Sequence, residues 1–141
     1  MRLALCRLCQ YAGRLQEGNP ILVGLFSRID SGSFPTRLDP CFLAVEIETD
    51  PTEINDVVPM EIRLIDEDGH MLASWDGLLE LPDSSEPDTR RTFFTLALPW
   101  GRDVQFERPG RFRFDIVIYS GTEEEEILGG ESLTLSQAAR T

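Results

Sequence analysis

A two-layer antiparallel β-sandwich is what three features of the sequence predict. They are a run of strict two-residue alternation, turn residues recurring about every ten positions, and no stretch of helical periodicity. The alternation is clearest in residues 108–119, where Pro109 and Gly110 form a turn and Phe112, Phe114, Ile116 and Ile118 then fall on one face. Side chains two apart share a face of a strand, so these four require an apolar layer above them. Arg111, Arg113 and Asp115 fall on the other face, which can stay wet along its first half, while Val117 and Tyr119 make the second half more buried. The count comes to about eight strands, with a closed β-barrel as the alternative all-β arrangement.

Taken in order, residues 3–11 read as a first strand. A polar stretch from Gly13 to Asn19 follows, and Pro20 opens a nearly all-apolar run to Ile29 that predicts an interior strand covered on both faces. Gly24 in its middle marks a bulge or the close approach of a neighbouring backbone. Residues 30–39 hold Gly32 and Pro35 and read as a connection that crosses between sheets. From Cys41 to Thr49 the alternation returns as a half-buried strand, with Leu43, Val45 and Ile47 on one side and Phe42, Ala44, Glu46 and Glu48 on the other. Met60, Ile62 and Leu64 alternate with Glu61 and Arg63, and Asp66-Glu67-Asp68-Gly69 joins them to Met71-Leu72-Ala73-Ser74-Trp75 as a hairpin with Gly69 in the left-handed position.

The second strand of that hairpin runs on to Leu81, with Gly77 as a bulge. Residues 82–88 are Pro, Ser and acid, a solvated loop. In residues 92–98, Phe94, Leu96 and Leu98 oppose Phe93, Thr95 and Ala97, and Pro99-Trp100-Gly101-Arg102 ends the strand. Residues 120–125 form an acidic turn, after which Ile127, Leu128, Leu133 and Leu135 make a last strand broken by Gly129-Gly130. One domain spans residues 1–136, and 137–141 form a frayed tail.

A chain of 141 residues buries roughly 70% of its unfolded surface and needs no staples. Thirteen basic against twenty-five acidic residues give a net charge of −12, which repels nucleic acid and anionic membranes. Every basic residue is Arg, so a Schiff-base amine and a P-loop lysine are absent. The start, Met1-Arg2-Leu3-Ala4-Leu5-Cys6-Arg7, is interrupted too early for a secretory signal or a span, which places the chain in the cytosol. Three cysteines, an odd number, read there as free thiols.

Cys6 and Cys9 have C-x-x-C spacing, but three positions along a strand point the sulfurs to opposite faces. His70 follows a turn, and no G-x-S-x-G elbow presents a serine to it. The acidic groups that could meet a hard cation are Asp66, Glu67 and Asp68, then Glu123 to Glu126, then Asp50, Glu53 and Asp56. Among them Asp66 and Asp68 are the metal-ligand candidates, although turn geometry explains D-E-D-G without a metal and a Glu run is ordinarily a solvated tip. Trp100 and Arg102 in a loop, with Arg90 and Arg91 beside acid, are the binding candidates, aromatic and Arg side chains being enriched at hot spots. No catalytic residue and no cofactor are indicated.

The combination Leu8-Cys9-Gln10-Tyr11-Ala12, Asn19-Pro20-Ile21-Leu22-Val23-Gly24, Asp66-Glu67-Asp68-Gly69 and Pro109-Gly110-Arg111-Phe112-Arg113-Phe114 resembles a bacterial family of small proteins known only as a domain of unknown function. The resemblance covers nearly the whole chain, implies an immunoglobulin-like sandwich, and carries no catalytic residues. The expectation is therefore a non-enzymatic binding or assembly module that uses a loop end or an edge strand toward a protein partner, a second copy included. A calcium-dependent sugar- or lipid-binding sandwich and a small hydrolase using His70 are the alternatives.

Overall fold

The computed structural model describes residues 1–49, 57–81, 90–98, 104–120 and 124–138, with the backbone alone for Arg90, Ser120 and Glu124. Among these, every regular element is a strand: β1 (Arg2–Arg14), β2 (Pro20–Phe26), β3 (Arg28–Ser31), β4 (Thr36–Arg37), β5 (Cys41–Thr49), β6 (Val57–Asp66), β7 (Met71–Glu80), β8 (Arg90–Leu98), β9 (Gln105–Phe106), β10 (Gly110–Ser120) and β11 (Glu124–Gln137). They form a first sheet of order β2-β1-β5-β8, a second of order β3-β11-β10-β6-β7, and a small β4-β9 pair. Among the described residues both large sheets keep free ends, so no barrel closes. No helix among the described residues is long and apolar enough to cross a membrane.

The alternation of β10 is realised as predicted. Phe112, Phe114, Ile116 and Ile118 are buried, and Leu8, Leu43, Val45, Ile47 and Leu96 of the first sheet belong to the same core. Each such side chain contributes roughly 1.5–3 kcal/mol relative to exposure. The β6-β7 hairpin also forms where expected, with Gly69 at φ 84°, its N–H donating to the Asp66 carbonyl, and the Asp66 N–H donating to the His70 carbonyl.

Several expectations are corrected. The run from Pro20 to Ile29 is not one interior strand: the chain leaves the first sheet after Phe26, and β2 lies at a sheet edge with most of its residues exposed. Ser27 marks the crossing, earlier than the expected connection, and β3 then pairs parallel to β11, so the second sheet is mixed rather than antiparallel. β5 is more than half-buried, because Ala44 on its outer face is fully covered. Gly77 is no bulge: it pairs in register with Met60, and the β6-β7 irregularity falls instead at Leu64/Ile65, where Leu72 is the extra residue.

Asp115 is buried rather than wet, held by Arg113 Nε at 2.6 Å and Nη2 at 3.0 Å. β11 is one continuous strand, so the Gly129-Gly130 pair does not break it. Ile116 pairs with Gly129 and Val117 with Ile127, which leaves Leu128 as one extra residue. Gln137 closes this strand, and the Ala138 N–H donates to the Ser31 carbonyl. β4 and β9 went unforeseen because two residues carry no period, although Phe106 in β9 is fully buried.

Candidate functional site

Trp100 and Arg102 lie outside the described residues, as do Glu123 and the Asp50, Glu53 and Asp56 group. Arg90 begins β8, where its backbone pairs with Thr49. Arg91 is tied within the molecule, 3.1 Å from Glu46 and 4.0 Å from Glu48.

Asp66, Asp68 and His70 do converge, with one ligand-type atom of each within 4.8 Å of the others. Their environment is that of a turn. Asp66 Oδ1 accepts the Asp68 N–H at 3.0 Å and the His70 N–H at 2.8 Å, while Asp68 Oδ2 lies 3.4 Å from Arg108. These donors, the His70 N–H foremost, hold the Asp66 carboxyl below its usual range. Two carboxylates and an imidazole fall short of the six to eight oxygens that calcium takes. The Glu run is not a free tip either, since Glu124 to Glu126 open β11 and pair with Ser120, Tyr119 and Ile118.

Cys6 packs into the main core, and Cys9 into a second apolar cluster on the other side of the first sheet, so the two sulfurs diverge as their spacing requires. All three thiols are free and buried. Burial pushes Cys6 up to about 12 and Cys41 up to about 11, which leaves no activated nucleophile at either.

A polar network stands on the outer face of the second sheet. Arg63 donates to Glu61 at 2.8 Å, to Glu125 at 2.7 Å and to the Tyr119 hydroxyl at 3.1 Å, and that hydroxyl donates to Glu61 at 2.7 Å. Every member is satisfied by another, so the group joins β6, β10 and β11 and offers no open position to a ligand. Near β3 a hollow of about 510 Å³ is bounded by Gln10, Arg28, Asp30 and Arg37 among others. Arg28 already reaches Asp30 and Ser136, each at 3.1 Å.

The feature that sequence reasoning missed is an arm. β1 pairs with β5 only as far as Cys9; beyond it, residues 10–14 continue with β2 and turn over the outer face of the first sheet. Ala12 and Leu22 on the inner side of this arm join Cys9, Ala44, Phe93 and Phe42 in the second cluster. Near the tip, Arg14 donates to the Phe93 carbonyl and its guanidinium stands 5.2 Å from the ring centroid. Gly24 is favoured here by its φ of 69°, while the Gln10 side chain, 2.6 Å from where a Cβ would stand, could move aside.

The arm's other side is apolar and partly exposed, with Tyr11 packing edge-on against Phe42, ring centroids 5.8 Å apart. Tyr11 and Val23 sit opposite each other at 53% and 49% exposed, flanked by Ile21 and Leu25. Residues 20–26 carry no charge, and among the described residues the outer edge of β2 pairs with no strand. The signal was present as an apolar run, but an exposed run and a doubly covered one have the same composition.

Residues 4–127 match the family model described as a family of unknown function, DUF6941, a span that takes in the arm and most of both sheets. No curated protein matches the chain.

Proposed function

We propose, for a chain that belongs to the DUF6941 family of unknown function, a non-catalytic assembly role in which β2 of one molecule pairs with β2 of a second copy. The observation that carries this reading is the bare edge of β2 combined with the exposed apolar row Ile21, Val23 and Leu25. Natural sheets ordinarily guard an edge with charge, a very short strand or a covering loop. β2 has no charge along its length and spans seven residues. Edge pairing about a two-fold axis is self-complementary, because each strand offers the other the same donors, acceptors and apolar row.

Charge favours a second copy meeting at this place. Each molecule carries −12, so contact between copies is repulsive over most of the surface, but residues 18–26 hold no acid and Arg14 lies beside them. The strand order supports a binding scaffold as well: β1-β5-β8 in one sheet and β11-β10-β6-β7 in the other favour reading the fold as an immunoglobulin-like sandwich to which β2 and the parallel β3 are additions.

Light scattering on the eluted full chain tests the proposal. The unaltered chain is expected to run as a dimer and Val23→Glu as a monomer with the same circular dichroism. A monomeric unaltered chain at submillimolar concentration, or a dimer unaffected by Val23→Glu, overturns it.

A further inference from the structure

The turn at the tip of the arm fixes which backbone groups of β2 are left over. The Leu15 N–H donates to the Asn19 carbonyl at 2.8 Å, so positions 15 and 19 form a hydrogen-bonded pair. In an antiparallel ladder such pairs alternate with pairs that exchange no bond. The register keeps one phase from Arg14 and Pro20 to Leu8 and Phe26, so Ile21, Val23 and Leu25 bond back to Gly13, Tyr11 and Cys9. Pro20, Leu22, Gly24 and Phe26 turn their backbone groups to the free edge. Proline suits its place there, because it offers a carbonyl and has no N–H to leave unpaired.

Three registers about a two-fold axis bring this edge against its own copy. One centred on Leu22 sets Leu25 against the partner's Asn19, which lies in the turn before β2. One centred on Gly24 sets Ile21 against the partner's Ser27, beyond the end of β2, and brings together two glycines whose φ of 69° departs from an extended strand. One centred on Val23 sets Ile21 against the partner's Leu25 on both sides of the axis and leaves no member of the exposed apolar row unmatched. Its bonds join Leu22 to the partner's Gly24, and the Phe26 N–H to the partner's Pro20 carbonyl, where the missing proline N–H ends the ladder.

We infer that the two-fold axis of the assembly passes between the two Val23 side chains, an inference that rests on the β2 pairing proposed above and specifies it. Val23 then meets the partner's Val23 in a pair without mutual hydrogen bonds, the closer kind, with Cα atoms about 4.5 Å apart. Tyr11, opposite Val23 in the register, flanks this pair in each copy. The two first sheets become one, of order β8-β5-β1-β2-β2-β1-β5-β8.

Disulfide trapping in the full chain tests the register, with Ile21→Cys, Val23→Cys and Leu25→Cys each followed by light scattering. The three native thiols are buried, whereas positions 21, 23 and 25 are exposed. Under oxidised glutathione, Val23→Cys is expected to crosslink to itself about ten-fold faster than either other variant alone, since only its sulfurs face each other within disulfide reach. Ile21→Cys mixed with Leu25→Cys is expected to crosslink one kind of chain to the other. Crosslinks of Val23→Cys to Ile21→Cys or to Leu25→Cys, in place of the Val23 pair, overturn the register and leave the β2 assembly standing. Monomers throughout, or a dimer that crosslinks at none of the three positions, overturn both.

Discussion

Arg14 and Phe93 are separated by 79 positions in the chain, yet the guanidinium of one donates to the carbonyl of the other and covers its ring. That joint fastens the arm to β8, at the far edge of the sheet from which the arm departs. A cation over an aromatic face at a partly exposed site is worth about 0.5–1 kcal/mol. Arg14→Ala is therefore expected to lower the unfolding free energy by about 1 kcal/mol and to speed amide exchange in residues 20–26 without altering the protection of β10. Unchanged exchange in β2 would show that Ala12 and Leu22, with Tyr11 against Phe42, hold the arm without this joint.

Acid should weaken the fold through a few identifiable carboxylates. Hydrogen bonds from Arg63, and then from Tyr119, hold Glu61 below the ordinary Glu value of 4.5, and Arg63 does the same to Glu125. The His70 and Asp68 amides hold Asp66 below 3.8. A carboxyl whose folded value is depressed adds stability that is complete above its unfolded value and disappears as pH falls through the folded one. The thermal midpoint is expected to be flat from neutrality to about pH 5 and to drop steeply below about pH 4.5. Arg63→Gln should lower the neutral midpoint by several degrees and make the acid branch shallower, as read by scanning calorimetry across pH.

The thiols report on opening from the alkaline side. Cys6 is raised to about 12 by burial and by the nearby charges of Glu131 and Asp115, and Cys41 to about 11 by burial. A group whose folded value is raised supplies stability that is full below its unfolded value and is lost as pH climbs toward the folded one. Stability should thus decline between about pH 8.5, the free-thiol value, and pH 11. Native protein at pH 8 is expected to resist iodoacetamide, with three equivalents taken up in denaturant, where all three cysteines become accessible. Rapid labelling of the native state would contradict the burial.

Gly130 is the position least able to accept a side chain. A Cβ there would stand 2.0 Å from the Phe114 carbonyl oxygen and 3.0 Å from Asp115 Oδ1. Because backbone cannot step aside as a flexible side chain can, Gly130→Ala is expected to cost roughly 3 kcal/mol, at the upper end of overpacking. Gly32→Ala, where nothing lies within 4 Å, is the control and should be near neutral by urea titration.

What could be read from the residues alone divides by mechanism. β10 was legible because Phe112, Phe114, Ile116 and Ile118 repeat with the pleat, and the β6-β7 turn because only glycine accommodates φ 84° without strain. The fate of residues 20–29 was not legible, since alternation reports which side chains seek cover and is silent on what provides it. Asp115 was misread for a related reason: a charged residue on an outward face reads as wet, but Arg113 folds over it and Gly130 opposite leaves it room. The arm escaped notice because Arg14 and Phe93 share no local pattern. The opening between β7 and β8 escaped because Gly77 reads in sequence as a bulge, and its missing side chain becomes a space only once Trp75, Leu79 and Phe94 surround it.

The added Leu128 acts on β11 as a half-period shift acts on a wave. Glu125 and Ile127 lie outward and Leu133 and Leu135 inward, although all four are odd-numbered. Without that one residue the alternation would keep a single phase from end to end, and the strand would have to give up either the Arg63 clamp or its anchors in the interior. Its contribution is arithmetic, which makes the number of residues between Tyr119 and Leu133 a tighter constraint than their identity.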